Sequence, residues 1–223
     1  MSVHKPLVII GGGEFAQIAC EYFQHDSDYT VVAFSVERDF LRQPTLAELP
    51  VVAFEDLEQH YPPGQYEVFV AIPATQLNRL RTRFFQDMLR RGYRCASYVS
   101  TRAFVWRNAQ IGANCFIFEG NVIQPFTRVG DNCILWSGNH IGHRTVVQDN
   151  VFIASHAVIS GYCEIGRGSF IGVNATLSDK VRIAADNVIG AGALVTRDTE
   201  AERVYVGSPA RAVAGRSSFD VEL

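Results

Sequence analysis

The chain is 223 residues long, 48% hydrophobic and 19% charged, with a formal net charge of −3. This composition excludes disordered, collagen-like and low-complexity classes, and the charge gives no strong pull toward nucleic acid or anionic lipid. Apolar runs such as Leu7–Ile10 are far too short to span a bilayer, and three glycines interrupt any secretory pattern. Five cysteines without CxxC spacing fit a cytoplasmic protein with reduced thiols.

Residues 1–97 alternate strand and helix patterns. Pro6–Ile10 reads as a short apolar strand, followed by Gly11-Gly12-Gly13 and a helix from Glu14 to Phe23. Tyr29–Phe34, Val51–Ala53 and Glu67–Ile72 read as further strands, with a short helix near Phe54–His60. Leu77, Leu80, Phe84, Met88 and Leu89 recur at helical spacing, closed by Gly92, and Arg94–Val99 reads as a last strand. Such alternation predicts a small α/β domain with a mostly parallel sheet. Gly11 to Ala16 matches G-x-G-x-x-A. That turn lets a phosphate approach a helix N-terminus, and it equally marks any tight strand-to-helix turn. Glu37 is poorly placed for a dinucleotide ribose. The arginines at 79, 81, 83, 90 and 91 read as a solvated helix face.

The second half carries a six-residue repeat. Stepping by six from Ile111 to Val195 gives fifteen positions, all Ile, Leu or Val. The residues two before each are Ala, Cys, Ser, Thr, Asn or Val, and six of the following residues are glycine. A triangular coil has this period. Each side takes six residues with one aliphatic pointing inward, and coils stack at about 4.8 Å. Fifteen hexads make five coils of a parallel β-helix, with Cys115 and Cys133 as small fillers of one corner column.

Three of the six histidines lie between residues 140 and 156. None stands at an inward position, so His140, His143 and His156 read as outward groups, with Asn174 one coil beyond His156. A neutral imidazole outside a coil is suited to act as a general base. The alternatives are three zinc ligands on different coils, or interface contacts without chemistry.

The glycine-rich α/β region followed by hexads resembles the bacterial sugar acetyltransferases of the sialic acid O-acetyltransferase and bacillosamine-type N-acetyltransferase family. The resemblance rests on Ile9-Ile10-Gly11-Gly12-Gly13, the Ile141-x-His143 step, Ile189-Gly190-Ala191-Gly192-Ala193 and Val206-Gly207-Ser208-Pro209-Ala210-Arg211. It implies a Rossmann-like nucleotide-sugar-binding domain (1–97) and a left-handed parallel β-helix (98–214), and the polar residues that follow read as a mobile tail (215–223). It further implies a homotrimer, acetyl-CoA as co-substrate, no metal, and a role in surface glycan or lipopolysaccharide synthesis. His143 takes the place of the family's catalytic base, and Gly161, one coil on, supplies a backbone N–H to the oxyanion. Val173, Ala191 and Gly192 fall along the pantetheine, and Pro209 and Arg211 near the adenosine. Gly11, Gly12, Gly13, Glu14 and Phe15 fall at the nucleotide sugar.

Two positions depart from the family. Its acid after the histidine is Arg144 here, a cation that favours the neutral ring but cannot orient it. Its second histidine is Phe152, which leaves His140 or His156 as substitutes. The expected reaction is direct N-acetylation of a nucleotide-linked amino sugar without an acyl-enzyme. O-acetylation of a sugar, or a non-catalytic scaffold binding a nucleotide sugar, are the rivals.

Overall fold

The computed structural model describes residues 5–223. The chain forms two compact units. One holds the chain up to Pro73 together with Arg81–Tyr98, and the other holds Ala74–Leu80 with Val99–Leu223.

The first unit is built on β1 (Lys5–Ile10), α1 (Glu14–His25), β2 (Tyr29–Val36), β3 (Thr45–Leu46), β4 (Leu49–Ala53), α2 (Leu57–His60) and β5 (Glu67–Val70). The sheet order is β3-β4-β2-β1-β5, parallel except for β3 against β4. Leu7–Ile10 and Val68–Val70 are fully buried, as a strand covered on both faces requires. The helix α3 (Arg79–Arg90) follows. Its buried side chains are Arg81, Phe84, Phe85 and Met88, whereas Leu89 is 48% exposed despite its helical spacing. Gly92 closes it at φ +80, with its N–H on Leu89 O at 3.0 Å. The expected strand Arg94–Val99 is reduced to a bridge at Cys95 and the pair Tyr98–Val99. Arg81 is not on a solvated face. It is fully buried and donates to the carbonyls of Ile72 (3.2 Å) and Pro73 (2.8 Å).

The second unit is the left-handed parallel β-helix, with two-residue strands in three sheets. Register is 18 residues between the two-residue strands, with Ile123 on Ile141, Val129 on Val147 and Leu135 on Ile153, and 16 at the final pairing of Val188 with Val204. Fourteen of the fifteen hexad aliphatics are buried, and Ile111 is half-buried. Each fully buried aliphatic contributes about 1.5–3 kcal/mol, so this column is the main source of the unit's stability. The stack starts earlier than Ile111. Val105 and Val99 continue the six-residue step, and the strands Phe104–Val105 and Tyr98–Val99 open two of the sheets.

The small corner column has a polar reason as well as a steric one. Thr127, Thr145 and Ser169 hydroxyls donate to carbonyls 15 residues on, at 3.0–3.1 Å. Cys115, Cys133 and Cys163 thiols make the same contact at 3.0–3.2 Å. Burial pushes the Cys115 thiol well up, so it stays a protonated donor.

Residues 215–223 are not a loose tail. Arg211–Ser217 pairs antiparallel with Arg203–Val206, and Ser217 caps the turn Ser218–Asp220. Ser218 is buried with its hydroxyl on Asp186 O, and Phe219 packs toward Leu77, Val188 and Val204. No helix among the described residues is long and apolar enough to cross a membrane.

Candidate active site

Each coil turns three times, and the outward residues of each turn stack 18 apart. The turn after His140–Ile141 carries His143, with Gly161 directly one coil on and Asp179 beyond. His143 is exposed. Its ring lies on Gly161: a Cβ there would be 2.5 Å from Cε1 and 2.9 Å from Nδ1. Glycine is therefore required for the ring to rest where it does. The Tyr162 ring meets His143 edge-on, with centroids 5.0 Å apart and planes at 82°. The backbone N–H of His143 donates to Gln124 Oε1 at 2.9 Å, and the same oxygen lies 3.4 Å from Nδ1.

The Gly161 N–H is not open as the oxyanion role expects. It donates to Asp179 Oδ1 at 2.9 Å. The same cap recurs where Asp131 takes Ala113 N–H and Asp149 takes Asp131 N–H, both at 2.8 Å. Asp179 is exposed. Arg144, next to His143, turns onto the Phe126 ring at 4.5 Å.

The other β-helix candidates occupy a different corner. Val173 and Ala191 share one column there, and His156, Asn174 and Gly192 the next. All five are exposed, and the N–H of Gly192 donates to Val173 O at 2.7 Å. The His156 ring lies on Gly138, where a Cβ would be 2.6 Å away. His156 thus does not join His143 within one chain. Between the two corners runs an outward strand column that includes Phe104, Val122, His140, Val158 and Leu194. Phe104 and Val158 are 53% and 43% exposed, and His140 stands mid-face. Among the described residues of one chain, no three His, Cys, Asp or Glu side chains converge. Pro209 and Arg211 are exposed near the chain's exit, with the Arg211 guanidinium on Ala210 O at 2.8 Å.

In the first unit, Gly11 is needed for packing. Its φ is +131, and a Cβ would meet Ala71 O at 2.8 Å. Gly12, Gly13 and Glu14 are exposed, and Gly13 starts α1 without a side-chain cap. The Phe15 side chain is buried, edge-on to Phe69 at 6.3 Å. Glu37 is held by Arg83 at 3.0 Å. At the same end of β2, the fully buried Ser35 hydroxyl has no hydrogen-bond partner among the described residues. Sequence reasoning missed Gln124, Asp179 and Ser35. The first two were within reach, since the 18-residue register predicts which side chains face a given N–H.

Residues 108–143 and 126–161 match the family model for the bacterial transferase hexapeptide (six repeats). No curated protein matches the chain. A solved structure of a histidine-to-asparagine variant of perosamine N-acetyltransferase from Caulobacter crescentus, in complex with CoA and GDP-perosamine, is 27% identical. The match covers 94% of this chain and 97% of that one, with a TM-score of 0.85. The acetyltransferase domain of PglB from Neisseria gonorrhoeae shares the fold at 23% identity and a TM-score of 0.84, over 94% of this chain and all of that one. WeeI from Acinetobacter baumannii shares it at 22% identity and a TM-score of 0.75, with 94% and 100% covered. The family resemblance read from the sequence holds, and so does the fold class.

Proposed function

We infer that this chain, a hexapeptide-repeat sugar acetyltransferase, moves the acetyl group of acetyl-CoA to the amine of a nucleotide-linked sugar. One observation carries the reading. An exposed histidine is seated on the bare backbone of Gly161, in a chain similar over 94% of its length to a sugar N-acetyltransferase crystallised with CoA and GDP-perosamine.

The chemistry follows from those groups. The amine nitrogen attacks the thioester carbonyl carbon while His143 takes the departing proton. The C–S bond then breaks, and the thiolate leaves as CoA thiol with the proton that His143 held. The products are an acetamido sugar and CoA. A base positioned in this way contributes about 10²–10⁴ in rate. The Gly161 N–H serves the oxyanion once the exposed Asp179 carboxylate releases it, a contact worth about 10²–10³. Two features support a homotrimer: the base and the Val173–Gly192 corner are separated on one coil, and a mostly apolar column with exposed Phe104 and Val158 lies between them. A neighbouring copy would bring the two corners together. Gly12, Gly13 and Glu14 are the exposed positions for the sugar's nucleotide, and acetyl-CoA runs from Val173, Ala191 and Gly192 toward Pro209 and Arg211. The product serves lipopolysaccharide or another surface glycan, made in the cytoplasm.

Thiol release from acetyl-CoA over a panel of nucleotide-linked 3-amino and 4-amino sugars tests this. Turnover on one sugar that falls by about 10² or more in His143→Ala is the expected result. Turnover only on hydroxyl sugars would replace the amine acceptor, and an undiminished variant would remove His143 as base.

A further inference from the structure

We propose that Gln124 is the positioning residue for His143, fixing the imidazole tautomer in place of the acid that Arg144 displaces. This rests on His143 being the base of the proposed transfer. The argument starts from the backbone. The N–H of His143 only donates, and it meets the Gln124 side chain at 2.9 Å, so the atom it meets is the amide oxygen. That oxygen only accepts, and it faces Nδ1 at 3.4 Å. Two acceptors do not bond, so a hydrogen bond between them requires that Nδ1 carries the hydrogen. Nε2 is then left with the lone pair that a base needs.

The side chain is neutral, which separates it from an acid partner. It orients the ring without adding a negative charge that would hold a proton on it. The other groups around the ring do not compete for Nδ1. Tyr162 presents a ring edge, Arg144 lies on Phe126, and Asp179 is engaged by the Gly161 N–H.

The backbone cap alone is a device of the fold. Gln148 Oε1 takes the Arg167 N–H at 3.0 Å over the same 19-residue span. What is particular to Gln124 is that the residue it caps is a histidine whose ring reaches the same oxygen. Gln148 therefore provides the control.

The test uses the full-length protein. Nitrogen NMR of ¹⁵N-histidine-labelled protein, with His143 assigned by comparison with His143→Ala, reads the tautomer without any substrate. The expected signal is Nδ1–H in the wild type, lost or mixed in Gln124→Met. With acetyl-CoA and the sugar, Gln124→Met should lower kcat by roughly tenfold or more, part of the about 10²–10⁴ a positioned base supplies, with KM little changed. Gln148→Met, which also loses a cap, should leave kcat near the wild-type value. Gln124→Glu keeps the acceptor and adds charge, so the acidic limb of the kcat/KM profile should move to higher pH. An Nε2–H tautomer in the wild type overturns the proposal, as does an equal loss of kcat in Gln124→Met and Gln148→Met. If Nδ1–H is found but His143→Ala still turns over, the positioning stands and the base assignment alone fails.

Discussion

At the scale of single residues, the site depends on an absent side chain. His143 rests against Gly161, and the room it uses is the room a Cβ would take, 2.5 Å from Cε1. Gly161→Ala pushes the ring off its seat and strains its approach to Gln124. The backbone at Gly161 is not left-handed, so the substitution itself carries no conformational penalty. The expected outcome is a fall in kcat approaching that of His143→Ala, with the denaturation midpoint little moved. Steady-state kinetics beside urea unfolding would check it. An active Gly161→Ala enzyme would mean that the ring works from another position.

At the scale of elements, three columns of left-handed residues mark the corners of the coils, and they differ in kind. One column is Asn114, Asn132, Asn150, Gly168 and Asp186, and another is Gly120, Gly138, His156, Asn174 and Gly192. These are mostly residues that tolerate positive φ, and Asn114, Asn132 and Asn150 also form a side-chain ladder at 2.8 Å. The column beside His143 is Phe126, Arg144, Tyr162 and Lys180, with φ of 56 to 64. Left-handed backbone costs such residues about 1–2 kcal/mol each. Strain of this kind gathers at functional sites, where side-chain identity outweighs stability. Tyr162→Asn is therefore expected to stabilise the chain by roughly 0.5–1 kcal/mol while lowering turnover, because Asn tolerates this conformation and the edge against His143 is lost. Urea midpoints at unchanged m would show the first effect and thiol release the second.

The repeat made the β-helix legible. Once Ile111 to Val195 set the register, His143 and Gly161 fell into one column by counting alone. The same counting places Asp179 over Gly161, and it was the polar partners that went unread. Arg81 and the Phe219 segment were misread for another reason. A charged helix residue and a polar terminus look solvated until tertiary packing supplies carbonyls or an apolar patch, and neither carries a local signal. Leu89 shows the converse: it shares the helical spacing yet is exposed, and Phe84, Phe85 and Met88 define the buried face.

At the scale of the whole chain, the boundary between the two units is not one cut. Ala74–Leu80 belongs with the β-helix although the chain returns to the first unit for Arg81–Tyr98. Leu77 is 1% exposed and packs with Val188 and Val204, and Asn78 donates to Gly168 O at 3.0 Å. Leu77→Ala should cost about 2–4 kcal/mol in urea unfolding, as a buried leucine truncation does. Residues 98–223 alone lack the whole segment and should be recovered as aggregate, because the bared patch is apolar. A soluble, cooperatively melting 98–223 fragment would show that the segment is dispensable.

The in-register stacking has one more consequence. Within the β-helix the stacking repeats every 18 residues, so adding or removing a whole coil keeps every column in place, whereas a change of six residues moves each later side to the next face. The interval between the coil of His143 and the exit after Val195 is therefore a ruler graduated in steps of about 4.8 Å. A donor with a long extended arm, as in the proposed transfer, would be measured against that ruler. Adding or deleting one coil would change the reach by one graduation.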